Sequence, residues 1–66
     1  MKIKLLNDGY YGDMENVIFP VEVEGEEWCG YGFDVLGSEI IRVGGNPDCW
    51  NPEGLYYWDN DEVIPQ

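Results

Sequence analysis

Residues 21–28 read VEVEGEEW and carry the clearest structural pattern in the chain. The first half alternates valine with glutamate, the period of two that is typical of a strand with one buried and one solvated face. The second half concentrates negative charge and ends on a tryptophan. The pattern predicts a strand with an acidic outer face. It leaves open whether the acids serve catalysis, metal binding or a basic partner.

The basic start of the chain, residues 2–6, supplies a matching partner for this strand. An antiparallel register that sets Lys2 opposite Glu24 and Lys4 opposite Glu22 also brings isoleucine, leucine and valine together on the other face. Opposite charges that face each other across strands contribute roughly 0.2–1 kcal/mol each. We therefore expect the two lysines to neutralise these two glutamates.

Further alternating stretches predict an all-β chain with no room for a long helix. We expect strands over 2–6, 17–24, 31–35, 39–43, 55–58 and 62–64, with a long loop over 7–16, turns at 36–38 and 59–61, and a loop over 44–54. Pro20 cannot donate to a ladder and implies an edge position or a bulge. Phe19, Tyr31 and Phe33 are expected in the core.

The predicted layout resembles that of an SH3-like barrel, with short strands, a long first loop and a tight turn before a short last strand. The resemblance implies a small five- to six-stranded SH3-like barrel or closed antiparallel meander. The stretches KIKLLNDG (2–9) and VIFPVEV (17–23) also resemble short accessory proteins of bacteriophages and prophages. That resemblance implies a protein that binds and inhibits a host protein in the host cytoplasm.

The length of 66 residues predicts one domain, 1–66, with a thin core. A chain this short buries only about 60% of the surface that its unfolded form exposes. Its apolar runs fall far short of the ~20 residues of a membrane span, and no signal peptide is recognised. We expect a cytoplasmic protein. Cys29 and Cys49 are then expected as free thiols, although a disulfide between them stays open.

The charge balance favours a basic protein as the partner. Fourteen acidic and three basic residues give a net charge of −11. Such a surface repels nucleic acid and anionic membranes, because affinity for both depends on Lys and Arg. It attracts basic protein surfaces and accelerates their encounter.

Catalysis and metal binding are not predicted. The chain has no histidine, so the usual general base near neutral pH is missing. Two cysteines are too few for a structural zinc site. Asp59, Asn60, Asp61 and Glu62 have the acidic character of a calcium loop but lack its glycine and its final glutamate. We therefore expect no cofactor, no metal and no enzyme.

Ten aromatic residues exceed what a thin core absorbs, and surplus Tyr and Trp are typical of recognition surfaces. The candidate partner-binding residues are Tyr10, Tyr11, Asp13, Glu26, Glu27, Trp28, Trp50, Tyr56, Trp58, Asp59 and Asp61.

Five interpretations of these residues stay open, and one is that the acids only keep the domain soluble. The acids could mimic DNA toward a host DNA-binding enzyme, or the aromatics could line an SH3-like groove for basic or proline-rich peptides. The Ala-Leu-Tyr-Asp-Tyr strand of that family is absent here. The chain could also be a structural virion or homo-oligomeric component. Finally, the loop aromatics could fold back over the ends of the barrel.

Overall fold

The computed structural model describes residues 1–28 and 30–65. This part of the chain contains six short strands and two short helices. In chain order they are β1 (Lys2–Leu5), β2 (Val21–Glu24), β3 (Glu26–Trp28), β4 (Gly32–Leu36), α1 (Gly37–Arg42), β5 (Leu55–Asp59), a 3-10 helix (Asn60–Glu62) and β6 (Val63–Pro65). The chain was predicted to be all-β; it is mainly β, with two short helices that were not predicted. Neither helix is long and apolar enough to cross a membrane.

The strands form two three-stranded antiparallel sheets. The first sheet has the order β2-β1-β6 and the second sheet has the order β3-β4-β5. In the first sheet Lys2 lies opposite Glu24 and Lys4 lies opposite Glu22, so the predicted register is confirmed. A shift by one residue would exchange the apolar and charged faces, and this alternation therefore fixes the pairing.

The ion pairs on the first sheet differ from those expected. The ammonium of Lys2 lies 3.8 Å from the carboxylate of Glu22, diagonally across the strands. The carboxylate of Glu24 lies 3.2 Å from the amino nitrogen of Met1. Glu22 is thus paired with Lys2 rather than with Lys4, which takes part in no ion pair within residues 1–28 and 30–65. These groups are half-exposed, so each pair stabilises the fold by at most about 1 kcal/mol.

One apolar cluster joins the inner faces of the two sheets. Its buried members are Ile3, Leu5, Val23 and Val63 of the first sheet, Phe33, Val35 and Trp58 of the second, and Met14, Val17, Ile40 and Trp50 from the connections. Phe33 lies in the core as predicted, and Phe19 packs against its edge. Tyr31 is 70% exposed, and its assignment to the core is wrong because it lies in the turn before β4.

The predicted strand over 39–43 is wrong, because residues 37–42 form α1. The helical turn buries Ile40 in the core. It also places Glu39 and Arg42 on one side, where Arg42 donates two hydrogen bonds of 2.9 Å to the Glu39 carboxylate. A short apolar run cannot be assigned to helix or strand by periodicity alone.

Side chains of α1 cover the outer edge of β2. The Glu24 N–H donates to the Glu39 carboxylate at 2.8 Å, and the Glu22 carbonyl accepts a hydrogen bond from Arg42 at 3.4 Å. Hydrogen bonding to Arg42 is the main reason why the pKa of Glu39 lies below its ordinary value. An exposed edge invites pairing with another chain, and these contacts block it.

The decisive stretch at 21–28 forms two strands separated only by Gly25. The predicted start of the second strand at residue 17 is wrong, since β2 begins at Val21 after Pro20. Residues 26–28 were expected outside a strand, yet they form β3 and pair with β4. A Cβ at Gly25 would lie 2.6 Å from the Ile3 side chain and 3.1 Å from the Asp34 carbonyl, so both sheets approach the backbone there.

Candidate functional site

The outward surface of the second sheet, which we call the outer face, brings together residues from three strands. The register places seven side chains on it: Glu26 and Trp28 of β3, Asp34 and Leu36 of β4, and Leu55, Tyr57 and Asp59 of β5. The alternate residues Phe33, Val35 and Trp58 are buried in the core. This alternation follows from the period of two along each strand. Leu55 and Tyr57 therefore share the outer face, with Trp58 on the opposite one.

The outer face exposes a continuous group of large apolar side chains. Trp28, Leu36, Leu55 and Tyr57 are between 37% and 64% exposed. Leu36 lies directly opposite Leu55, and Trp28 lies one strand away from the Tyr57 ring, across Gly32. Scattered exposed apolar residues are ordinary, whereas a contiguous group makes this face a candidate interaction site.

The charges on the outer face are all negative within the described residues. Glu26, Asp34 and Asp59 alternate with the apolar side chains. The three basic residues of the chain lie elsewhere, on β1 and α1. Asp34 lies directly opposite Glu26, and like charges in that position destabilise a sheet. The face therefore combines apolar area with uncompensated negative charge.

Tyr57 is held rigidly on this face. Its ring lies over Gly32, where a Cβ would collide with it, and its hydroxyl donates to the Tyr31 carbonyl at 2.8 Å. Partial burial, reinforced by the nearby Asp59 carboxylate, raises the pKa of the Tyr57 hydroxyl. The phenol therefore stays protonated near neutral pH and presents a fixed aromatic edge.

A groove of about 250 Å³ opens at one end of the outer face, where the two sheets meet. Its lining residues are Met1, Glu24, Gly25, Glu26, Asp34, Leu36, Glu39 and Leu55. Four of them also belong to the outer face, so groove and face form one continuous surface.

Two tryptophans expected at a binding surface instead fasten the long first loop. The indole N–H of Trp58 donates to the Asn7 carbonyl at 3.1 Å, and that of Trp50 donates to the Asp13 carbonyl at 3.3 Å. Trp58 is 0% and Trp50 is 4% exposed. A buried indole that finds a hydrogen-bond acceptor is a stable core element. Neither side chain is accessible to a partner.

Tyr11 anchors the same loop to the free edge of β5. Its hydroxyl donates to the Tyr57 carbonyl at 3.0 Å and accepts from the Tyr57 N–H at 2.9 Å. Its ring packs edge-on or tilted against Trp50, Tyr56 and Trp58, with centroid distances of 5.1–5.6 Å. The structure therefore gathers four of the predicted site aromatics into one cluster, in which Trp50 and Trp58 are buried, Tyr56 is half-buried and Tyr11 is 42% exposed.

The remaining predicted site residues are dispersed. Tyr10 is 94% exposed at a loop position with a φ of 66°, and Asp13 has a φ of 55°. Both conformations are left-handed and uncommon outside glycine. Glu27 is exposed on β3 opposite Phe33, and Asp61 is exposed on the 3-10 helix. Of the predicted set, Glu26, Trp28 and Asp59 share the outer face.

Four members of the outer face were not among the predicted site residues: Asp34, Leu36, Leu55 and Tyr57. The alternation within residues 55–58 places Leu55 and Tyr57 together on one face, but it does not show which face is exposed, and the opposite pair was predicted at the site. Leu36 could not be found this way, since residue 36 was assigned to a turn.

The cysteines give no support for a reactive or metal-binding site. Cys49 is exposed as a free thiol, and desolvation together with nearby Asp13 raises its pKa, which lowers the thiolate fraction. Cys29 lies outside the described residues. Within the described part of the chain, no group of three or more His, Cys, Asp and Glu residues is placed to hold a metal ion.

Comparison with known proteins found no match: no protein-family model, no curated protein and no solved structure resembles this chain significantly.

Proposed function

We propose that this chain is a non-enzymatic binding domain whose outer face docks a protein surface that is both basic and apolar. The observation that carries the proposal is the composition of the outer face. Four large, partly exposed apolar side chains lie there among three carboxylates, and the two lysines and the arginine of the chain lie on β1 and α1. Apolar contact provides affinity, and the charge selects and steers a basic partner.

We further propose that the two sheets form an SH3-like barrel. Three features support this layout: a long loop after β1, a tight turn before the short β6, and a strand that serves both sheets. Residues 21–28 leave the first sheet at Gly25 and continue directly into the second. On one side the Gly25 N–H donates to the Met1 carbonyl, while β3 pairs with β4. A bent strand of this kind is how a small antiparallel sheet curves toward closure.

The alternative of a peptide groove built on loop aromatics has less support. That groove would combine Tyr10, Tyr11 and Tyr56 with Trp28 or Trp50. Trp50 is buried, Trp28 lies on the outer face, and the Tyr11 hydroxyl is bonded to the Tyr57 backbone, although Tyr10 and Tyr11 are 94% and 42% exposed. A mimic of DNA would need carboxylates that dominate one contiguous face, whereas on the outer face three carboxylates alternate with four large apolar side chains. Self-association through the outer face would oppose two sets of carboxylates without a cation. A basic protein partner avoids each of these conflicts.

The bacteriophage setting, in which the partner would be a host protein, rests on the resemblance of two stretches in the first third of the chain.

The proposal is tested by selecting random peptides displayed on phage against the immobilised chain. Recovered peptides are then measured against a Trp28→Ser, Leu55→Ser variant and against a matched Ile18→Ser, Ile64→Ser control. The control removes two isoleucines that are 84% and 48% exposed but lie off the outer face. Each substituted side chain is already exposed, so both variants are expected to fold.

We expect the recovered peptides to combine Lys or Arg with Trp, Phe or Leu. Their affinity should fall by about tenfold or more in the outer-face variant, as for central interface residues, and should be unchanged in the control. Peptides without basic residues, or an equal loss of affinity in both variants, would refute the proposal.

A further inference from the structure

We infer that the groove at the junction of the two sheets takes one lysine or arginine side chain of the protein partner. The inference rests on the proposed function, and it adds a specific recognition element to the outer face.

The shape and lining of the groove suit a long unbranched side chain. Leu36, Leu55 and the Met1 side chain provide an apolar wall around a volume of about 250 Å³, and the Met1 ammonium is held to one side by Glu24 at 3.2 Å and the Gly25 carbonyl at 2.8 Å. Small-molecule pockets usually occupy about 300–1,000 Å³, so this groove lies just below that range and has room for one long side chain. Lysine and arginine bury their aliphatic stems along such walls while the charged head stays solvated.

The carboxylates around the groove differ in their availability. Glu39 already accepts hydrogen bonds from Arg42 and from the Glu24 backbone, and Glu24 lies 3.2 Å from the Met1 nitrogen. Glu26 and Asp34 take part in no ion pair or hydrogen bond of their carboxylates within the described residues. These two face each other across β3 and β4.

A cation placed between Glu26 and Asp34 would offset their mutual repulsion. The apolar wall and the acidic pair therefore favour the same occupant, a side chain that is apolar along its stem and positive at its end. Because both carboxylates also belong to the outer face, that side chain would extend from the segment docked there.

The experiment uses n-butylammonium as a probe for the lysine side chain, with n-butanol as its neutral analogue of similar size. Binding is followed by NMR through the methyl groups of Leu36 and Leu55 and the backbone amides of Glu26 and Asp34. We expect saturable shifts at these positions with n-butylammonium, a dissociation constant in the millimolar range, and at least fivefold weaker binding of n-butanol, since it lacks the charge.

Two variants make the result specific. Glu26→Gln with Asp34→Asn should weaken n-butylammonium binding about fivefold or more, because both charged acceptors are lost. Asp48→Asn with Glu53→Gln removes two exposed acids away from the groove and should leave binding unchanged. Shifts that are not saturable, that spread over all acidic positions, or that fall equally in both variants would overturn the inference.

The outcome also separates this inference from the proposed function. If the selected peptides require the outer face while n-butylammonium does not bind the groove, the docking face stands and the groove assignment is wrong. If peptide binding is independent of the outer face, the proposed function itself is wrong.

Discussion

Replacing Tyr11 by phenylalanine tests how the long first loop is held in place. The substitution keeps the ring that packs against Trp50, Tyr56 and Trp58, and it removes only the hydroxyl. That hydroxyl makes two hydrogen bonds, of 3.0 Å and 2.9 Å, to the carbonyl and N–H of Tyr57. The Tyr11 hydroxyl oxygen thereby satisfies both backbone groups of Tyr57 on the free edge of β5.

The magnitude follows from these two bonds. A typical intramolecular hydrogen bond contributes about 0.5–1.5 kcal/mol net, and a partly exposed site lies toward the lower end because water replaces the lost partner. We therefore expect Tyr11→Phe to lower the free energy of unfolding by about 1–2 kcal/mol. With a urea m-value of about 1 kcal/mol/M, suitable for a small chain, the midpoint should fall by about 1–2 M.

Urea unfolding followed by tryptophan fluorescence measures this change, and Tyr10→Phe is the matched control. Tyr10 is 94% exposed, and no hydrogen bond of its hydroxyl is found in residues 1–28 and 30–65. Amide hydrogen exchange adds a local readout, since the Tyr57 N–H should lose protection in Tyr11→Phe alone. Equal midpoints for the two variants, with unchanged exchange at Tyr57, would refute this account of the loop.

Three further predictions concern the sheets and the helix. Glu39→Gln should flatten the dependence of the free energy of unfolding on acid pH. The pKa of Glu39 in the folded protein lies below its ordinary value of 4.5. The ionised carboxylate therefore stabilises the fold above about pH 4.5, and this stabilisation is lost as the pH falls through the folded pKa. Urea midpoints of both proteins between neutral and acidic pH would measure this, and parallel profiles would contradict the role of Arg42. Gly25→Ala should destabilise by about 1–3 kcal/mol, because the added Cβ meets Ile3 at the junction of the sheets; a neutral result in thermal unfolding would show that the junction is loosely packed. Glu26→Gln should stabilise by about 0.2–1 kcal/mol through loss of a like-charge cross-strand pair, and a lower urea midpoint would show that this carboxylate has a favourable partner in the free protein.

The register of the first sheet was predictable because two independent patterns agreed. Apolar residues and opposite charges both selected the same alignment of β1 with β2, and only one alignment satisfies both. The alternation over residues 55–58 places Leu55 and Tyr57 on one face and Trp58 on the other, but it does not show which face is buried, and the buried Trp58 was predicted at the binding surface. Period-two patterns therefore determined which residues share a face, and the buried face was predictable only in the first sheet, where charge marks the solvated side.

The misassigned elements depend on contacts between distant residues. Residues 37–42 form a helix whose Glu39 and Arg42 reach the edge of β2, a contact that short-range periodicity does not encode. The three-residue spacing of this acid-base pair was the available signal for a helix. Trp50 is buried because its indole meets Asp13, 37 positions earlier in the chain. Such contacts explain why aromatic residues in predicted loops became core elements.

The same limit applies to the candidate site. Trp28, Glu26 and Asp59 were predicted from composition, but their common surface exists only because Gly25 redirects the strand toward β4. Leu36 and Asp34 lie on the outer face because of the pairing of β4 with its neighbours, and no sequence motif marks them.

The central claim, that the outer face binds a basic and apolar partner, is tested most directly by mapping one selected peptide on the chain. Backbone amide NMR spectra recorded during titration would locate the contact. We predict shifts concentrated in β3, β4 and β5, with the amides of β1 and β6 unaffected. Shifts concentrated in the loops over 6–20 and 43–54, or on the lysine-bearing first sheet, would contradict the account.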